Sequence, residues 1–94
     1  MLQNKVIVIT GGAGLIGQAF VKAVVENGGI AIIADINIDN AQKAKDQLSA
    51  DESNHINTIV MDITSKQSIC NAIEAINKKY SRIDVLVNNA YRKL

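Results

Sequence analysis

The stretch Thr10-Gly11-Gly12-Ala13-Gly14-Leu15-Ile16-Gly17 decides the fold of this 94-residue chain. It follows an apolar run, Val6-Ile7-Val8-Ile9, and precedes a segment whose apolar residues recur at helical spacing. A strand that turns through glycines into a helix directs backbone N–H groups and the positive end of the helix dipole at one point. The glycines let the backbone approach a diphosphate and let the helix pack closely on the strand. The stretch therefore predicts a nucleotide-binding turn.

The spacing Gly12-x-Gly14-x-x-Gly17 is common by itself, so its context decides its meaning. A dinucleotide site requires a strand before the glycines, a helix after them and an acidic residue about 20 residues further on. Asp35 lies 18 residues after Gly17, at the end of a second apolar run over residues 30–34. A plain turn between strand and helix would need neither three glycines nor this acid. For Asp35 itself, the alternative is a turn residue at the strand end or a helix cap.

Composition sets the class of protein. Hydrophobic residues make up 48% of the chain and the net charge is +1, which indicates a folded domain without the basic surface of a nucleic-acid-binding protein. No apolar run reaches the length of a membrane span, and the N-terminus lacks a signal-peptide pattern. Cys70 is the only cysteine, which is typical of a reducing compartment. We expect one cytoplasmic domain over residues 1–94.

Strands and helices are predicted to alternate along the chain. The expected strands cover residues 5–10, 30–35, 56–61 and 85–89, and the expected helices cover 15–27, 40–50 and 66–80. Strands joined by helices of this length pair in parallel through right-handed crossovers. The predicted fold is therefore α/β, a Rossmann-type parallel sheet of strand order 3-2-1-4 with flanking helices. It amounts to about half of a complete domain of that type.

Periodicity predicts which side chains are buried. The first, second and fourth strands are continuous apolar runs, as expected of strands covered on both faces. Ser65 is a candidate N-cap for the third helix. The residues expected to face inward are Leu15, Ile16, Ala19, Phe20, Ala23 and Val24 in the first helix, Ala41, Ala44 and Leu48 in the second, and Ile69, Ala72, Ile73 and Ile76 in the third.

Four motifs in order resemble the N-terminal part of the short-chain dehydrogenase/reductase family. They are the glycine stretch 10–17, Asp35 after the second strand, Asp62-Ile63 after the third, and Asp84-Val85-Leu86-Val87-Asn88-Asn89-Ala90 at the fourth. The resemblance spans essentially the whole chain. It implies a nicotinamide cofactor and hydride transfer to or from a carbonyl or alcohol carbon.

The same resemblance implies a role for each motif residue. Gly11, Gly14 and Gly17 resemble the phosphate loop, with the Ile16 backbone near the diphosphate. Asp35 resembles the acid that binds the adenosine ribose hydroxyls, with Ile36 beside it, and Asp62 and Ile63 are similar to the pair that contacts adenine. Asn88, Asn89 and Ala90 look like the segment that lines the cofactor and braces the sheet.

Two positions depart from the family pattern. Leu15 stands where short members carry glycine, so the glycine spacing resembles the extended, sugar-nucleotide-modifying branch. The fourth strand resembles the short branch, and it carries more weight because it matches over a longer stretch. Tyr91 stands where the Asn-Asn-Ala-Gly pattern has glycine. Both branches stay open, and the mixed pattern suggests an enzyme acting on a sugar or sugar nucleotide.

Charge near Asp35 predicts the cofactor. The 2′-phosphate of NADP would face the Asp35 carboxylate, and such like-charge contacts cost several kcal/mol. NADP sites offer an arginine or lysine near the ribose, whereas Gly12-Ala13 and residues 36–39 contain none. We therefore expect the cofactor to be NAD.

No catalytic residue is assigned in this chain. The family's serine, asparagine and Tyr-x-x-x-Lys pair belong to the later half of its fold, and neither Tyr80 nor Tyr91 has a lysine four residues on. His55 lacks partners for a metal site. Two functions stay open. The first is the cofactor-binding segment of an NAD-dependent oxidoreductase with a small-molecule substrate, homo-oligomeric at full length. The second is a non-catalytic nucleotide-binding or assembly module.

Overall fold

The computed structural model describes residues 1–11, 14–48 and 55–88. Its elements in chain order are β1 (Val6–Thr10), α1 (Leu15–Glu26), β2 (Ile30–Asp35), α2 (Ile38–Asp46), β3 (Ile56–Val60), α3 (Lys66–Tyr80) and β4 (Val85–Asn88). All strand pairs are parallel, and the sheet order is β3-β2-β1-β4. The predicted Rossmann-type α/β fold and its strand order are confirmed.

The core lies on both faces of the sheet because successive strand residues point to opposite sides. On one face, Ile7 and Ile9 of β1 pack with side chains of β2, β3, α1 and α2. On the other face, Val6 and Val8 pack with side chains of β2 and α3. Every residue of β1 is buried. The two central strands are thus enclosed between helices, as their uninterrupted apolar sequences predict.

The predicted inward face of α1 is confirmed at Val24 and is wrong at its other positions. Leu15 is 88% exposed and Phe20 43% exposed, whereas the buried residues of the helix are Gly17, Val21 and Val24. Apolar residues nearly surround this helix, so their spacing alone did not select one face. Contact with the sheet selected the face of Gly17, because a residue without Cβ lets the helix backbone approach the strands.

Helix α2 also differs from its prediction, which placed it at residues 40–50. It covers Ile38–Asp46, and residues 49–50 lie outside the described ranges. The earlier start is explained by Asn37, whose side-chain oxygen accepts hydrogen bonds from the N–H groups of Asp39 and Asn40. The predicted burial of Ala41 and Ala44 is confirmed, and Leu48 is partly buried against the same cluster.

Helix α3 has the predicted bounds and the predicted N-cap, since Ser65 accepts a hydrogen bond from the N–H of Ser68. Ala72 and Ile76 are buried and Ile69 is partly buried, whereas Ile73 is exposed, contrary to its prediction. Fewer residues of α3 are buried than predicted, because a helix that packs on one face of a sheet buries only the central stripe of its surface.

Strand β4 has the apolar sequence typical of a strand covered on both faces, but Val85 and Leu86 are exposed. Among the strands that the structure describes, it pairs with β1 alone. Its start is fixed by Asp84, which accepts a hydrogen bond from the Val6 N–H at 2.8 Å and donates its own N–H to the Val6 carbonyl oxygen at 2.9 Å. Arg82 forms a bidentate pair with the same carboxylate. These contacts, with the Arg82 hydrogen bond foremost, lower the pKa of Asp84.

Candidate nucleotide-binding site

The carboxyl ends of the four strands meet along one edge of the sheet. Thr10 of β1 is paired with Ala34 of β2 and with Asn88 of β4, and Asp35 is paired with Val60 of β3. In open parallel sheets, ligands bind outside this edge. The strand pairing therefore brings the described members of the predicted set, at or next to the ends of β1, β2, β3 and β4, to one side of the sheet.

Gly11 begins the loop after β1 and needs to be glycine. Its φ is +66°, a left-handed conformation that costs a side chain about 1–2 kcal/mol. Its N–H donates to the carbonyl oxygen of Ala34 at 2.8 Å, and its own carbonyl oxygen accepts from the Gly14 N–H at 3.1 Å. Gly12 and Ala13 lie outside the described residues. The loop is thus tied to β2 at the residue before Asp35.

Gly14 is the N-cap of α1, and the fold itself does not require glycine there. Its φ of −76° suits any residue, and of the described atoms an added Cβ would meet the Gly11 carbonyl oxygen alone, at an ordinary 3.6 Å. Within the described ranges no side chain caps α1, and its first turn has no acidic residue, whereas Asn37 and Ser65 cap α2 and α3. An uncapped helix end beside an open glycine offers N–H donors and space to an anion.

The two other predicted loop residues lie in the first turn of α1 and differ in environment. Gly17 is buried and lets α1 approach the sheet, whereas the side chain of Ile16 is 67% exposed. Because Ile16 is the second residue of the helix, its N–H belongs to the set that no preceding helical carbonyl can bond. Its backbone is therefore placed to donate to a ligand at this helix end.

Asp35 ends β2, and its backbone and side chain are both held. Its carbonyl oxygen accepts from the Met61 N–H at 3.0 Å, and its Oδ1 accepts from the Asn37 N–H at 3.0 Å. Within the described ranges, no other hydrogen bond to this carboxylate is found. A carboxylate accepts hydrogen bonds only, so it suits a ligand that presents hydroxyl groups. The neighbouring side chain, Ile36, is 67% exposed and offers an apolar surface.

Asp62 and Ile63 form a turn between β3 and α3. The Asp62 carboxylate accepts from the N–H and hydroxyl of Thr64, and its carbonyl oxygen accepts from the Ser65 N–H. Ile63 is 38% exposed. The sequence analysis missed Ser68, whose hydroxyl oxygen accepts from the Asp62 N–H at 2.9 Å and so fixes the turn on α3. The pair Ser65-x-x-Ser68 at a helix start was the available signal.

Thr10 connects β1 to the end of β4. Its hydroxyl is 3.2 Å from the carbonyl oxygen of Val87 and 3.3 Å from Oδ1 of Asn88, and the residue is 4% exposed. The contact holds Asn88 at the same edge as Gly11. Asn89 and Ala90, the other predicted residues of this segment, lie outside the described residues.

Other classes of site were also searched for. In the described ranges, no group of three or more histidine, cysteine, aspartate or glutamate residues is placed to hold a metal ion. None of the helices that the structure describes has the length and apolar character needed to cross a membrane.

Known proteins are similar to this chain in sequence and in fold. The family model for short chain dehydrogenase matches residues 5–92. Post-translational flagellin modification protein A of Campylobacter coli is 42% identical over 91 residues, which are 97% of this chain and 36% of that protein. This chain spans about a third of the length of most of the curated relatives it matches.

Solved structures of a reductase and a dehydrogenase also resemble this chain. The 3-ketoacyl-(acyl-carrier-protein) reductase from Brucella melitensis, complexed with NADH, is 27% identical with a TM-score of 0.85, over 96% of this chain and 35% of that one. An NAD+-bound xylitol dehydrogenase is 28% identical with a TM-score of 0.86, over 97% of this chain and 35% of that one. The match to the family model covers nearly all of the sequence, including every strand and helix of the sheet described above. This chain belongs to the short-chain dehydrogenase family.

Proposed function

We propose that residues 1–94 form the cofactor-binding segment of an NAD-dependent oxidoreductase, which moves a hydride between nicotinamide and a carbonyl or alcohol carbon. The observation that carries this proposal is the start of α1, where Gly14 is open, no side chain caps the helix and no acid lies in its first turn. A diphosphate would accept the N–H groups that other helices of this chain give to capping side chains.

The proposed cofactor contacts follow the edge of the sheet. The diphosphate lies at Gly11, Gly14, Gly17 and the Ile16 backbone, and the adenosine ribose lies at Asp35 and Ile36. Adenine lies at Asp62 and Ile63, and Asn88, Asn89 and Ala90 line the far side. Support comes from the strand pairing, which aligns the described members of this set.

We propose NAD instead of NADP because the Asp35 carboxylate puts a negative charge beside the proposed ribose position. The Asp35 carboxylate would repel a 2′-phosphate, and residues 36–39 supply no cation to offset it. Structures similar to this chain have been solved with NADH, with NAD+ and with NADP, so the choice of NAD rests on the Asp35 charge. For the substrate we propose a small molecule of the sugar or sugar-nucleotide class, as the mixed glycine pattern around Leu15 suggests. We further propose a cytoplasmic homo-oligomer at full length, and no catalytic residue within these 94 positions.

The test is a titration of the 94-residue chain with NADH and NADPH, followed by calorimetry. We expect tighter binding of NADH. Asp35→Asn should weaken NADH binding and reduce the discrimination between the two cofactors. Asp46→Asn, a change of the same kind at the exposed C-terminal residue of α2, is the matched control and should largely keep both the NADH affinity and the discrimination. Tighter binding of NADPH by the unaltered chain would overturn the cofactor choice, and a folded chain that binds neither would overturn the proposal.

The alternative function is a nucleotide-binding or assembly module without catalysis. The exposed apolar residues Val85 and Leu86 of β4, together with Leu15 and Phe20 of α1, favour association with another surface. The coding sequence downstream of codon 94 discriminates between the two. An in-frame continuation containing Tyr-x-x-x-Lys supports the oxidoreductase, whereas a stop codon directly after codon 94 supports the module.

A further inference from the structure

Strand β3 lies at an end of the sheet, and its sequence favours pairing with a further strand. The sheet order is β3-β2-β1-β4, and within the described ranges β3 pairs with β2 alone. Four of its five residues are β-branched, which suits them to a sheet. Charged residues and proline, which commonly keep an edge strand from pairing with another chain, are absent from residues 56–60. The outer edge of β3 therefore needs another form of protection.

The backbone of Thr58 faces this outer edge. The His55 carbonyl oxygen accepts from the Ala31 N–H of β2 at 2.8 Å. The Met61 N–H donates to the Asp35 carbonyl oxygen at 3.0 Å. His55 and Met61 thus turn these backbone groups to β2. Successive residues of a strand direct their backbone groups to opposite sides, and Thr58 stands an odd number of positions from both. Its N–H and carbonyl oxygen therefore point away from β2.

The side chain of Asn57 already occupies this outward N–H. Its Oδ1 accepts from the Thr58 N–H at 3.0 Å, and its Nδ2 donates to the Tyr80 hydroxyl at 2.9 Å. A backbone N–H only donates, so the amide oxygen has to face Thr58, which leaves the NH₂ group for the hydroxyl. Tyr80 is the last residue of α3 and is partly buried against the core. The end of α3 therefore holds the Asn57 amide at the strand edge.

We propose that Asn57, held by Tyr80, closes the outer edge of β3 to a second copy of this chain. A strand added at this edge would bond to the outward groups of residues 56, 58 and 60, and the Thr58 N–H is the middle donor of that row. To reach it, the added strand would have to displace the Asn57 oxygen from its hydrogen bond. The inference is independent of the proposed function, because it concerns self-association and requires no cofactor.

The first measurement reports on the hydrogen bond itself. Amide hydrogen exchange at position 58 is followed by NMR in the 94-residue chain at low protein concentration, relative to the rate of an unfolded peptide of the same sequence. We expect Asn57→Val to accelerate this exchange about fivefold, the effect of one lost hydrogen bond. Asn57→Asp keeps an acceptor oxygen and should stay close to the unaltered chain. Thr58→Val is the matched control, because it adds a valine at the next position and keeps the backbone N–H bonded.

The second measurement reports on association. Sedimentation over a range of concentrations should show that Asn57→Val associates at concentrations about fivefold lower than the unaltered chain does. Thr58→Val should match the unaltered chain, which would separate release of the edge from added apolar surface. Hydrogen exchange of the associated Asn57→Val chain should show new protection at residues 56, 58 and 60.

Three outcomes with Asn57→Val would overturn the inference: unchanged exchange at Thr58, faster exchange without stronger association, and association whose new protection is confined to β4. If Asn57→Val fails to fold, Tyr80→Phe decides, because it keeps the ring and removes the hydroxyl that holds Asn57. Both the Thr58 exchange and the association should then increase, and a folded Tyr80→Phe chain in which either is unchanged would contradict the proposal.

Discussion

The hydroxyl of Thr10 lies 3.3 Å from Oδ1 of Asn88, across the last paired position of β1 and β4. The same hydroxyl is 3.2 Å from the Val87 carbonyl oxygen. The hydroxyl therefore has two acceptors within reach at the end of β4, which among the described strands lies at the edge of the sheet. The residue that precedes the glycine loop also holds the end of β4 beside that loop.

Replacing Thr10 by valine should destabilise the chain by about 1–3 kcal/mol, because the shape is kept while a buried hydrogen bond is lost. Urea unfolding followed by circular dichroism measures the change. Thr58→Val is the matched control: it is the same substitution on β3, which does not pair with β1, at a half-buried residue. Equal losses for the two variants would show that the Asn88 and Val87 contacts contribute nothing specific.

Gly14→Ser should separate binding from folding. Serine is a favoured N-cap and its Cβ has room, so the free energy of unfolding should stay within a few tenths of a kcal/mol or rise. The new hydroxyl would accept the N–H groups proposed to hold the diphosphate, and NADH affinity should fall about tenfold, which corresponds to 1.4 kcal/mol.

Gly11→Ser should instead lower stability, because a side chain at the positive φ of this position costs about 1–2 kcal/mol. Calorimetry and urea unfolding on the two variants give both quantities. A Gly14→Ser chain that binds NADH as well as the unaltered chain would place the diphosphate elsewhere.

Stability should depend on pH through Asp84, whose pKa is lowered first by the Arg82 hydrogen bond and then by the Val6 N–H. A lowered folded-state pKa means that the unfolded chain takes up the proton more readily. The contribution is therefore complete above the unfolded-state pKa of about 4 and is lost as the pH falls through the folded-state value.

Urea midpoints between pH 7 and pH 2.5 measure this effect. Asp84→Asn should flatten the acid part of the profile. Arg82→Met should flatten most of it, because it removes the largest cause while the Val6 bond stays. A profile for Asp84→Asn that matches the unaltered chain would assign the acid sensitivity to other carboxylates.

The corrected face of α1 can be tested by two adjacent positions. Val21 is fully buried and Phe20 is 43% exposed. Val21→Ala should cost about 1–3 kcal/mol through lost burial and a cavity, whereas Phe20→Gln should cost less than about 1 kcal/mol. Thermal and urea unfolding of the 94-residue chain measure both. A larger loss of stability for Phe20→Gln than for Val21→Ala would support the inward face that the apolar periodicity predicted.

Some features of the site depend on one residue type that satisfies a local requirement of the backbone, such as a turn or a helix cap. These features could be predicted from the sequence. The glycine turn after β1, which begins at Gly11 with a positive φ, and the Ser65 cap of α3 are local in this sense, and the sequence predicted both the turn and the cap. Ser68 and Asn37 were not, because their importance comes from what they contact. Ser68 matters because its hydroxyl reaches the Asp62 N–H on the preceding turn. Asn37 matters because it joins Asp35 to α2.

By itself, the sequence determined the alternation of strands and helices, the parallel pairing and the order 3-2-1-4, because periodicity and connection length are properties of the chain. Tertiary structure alone decided that α1 buries Gly17, Val21 and Val24 instead of the face of Phe20. It also decided that β4 stays exposed while β1 is enclosed. The physical reason is that burial depends on which surfaces meet. A helix with apolar residues on most sides is oriented by the surface it packs against.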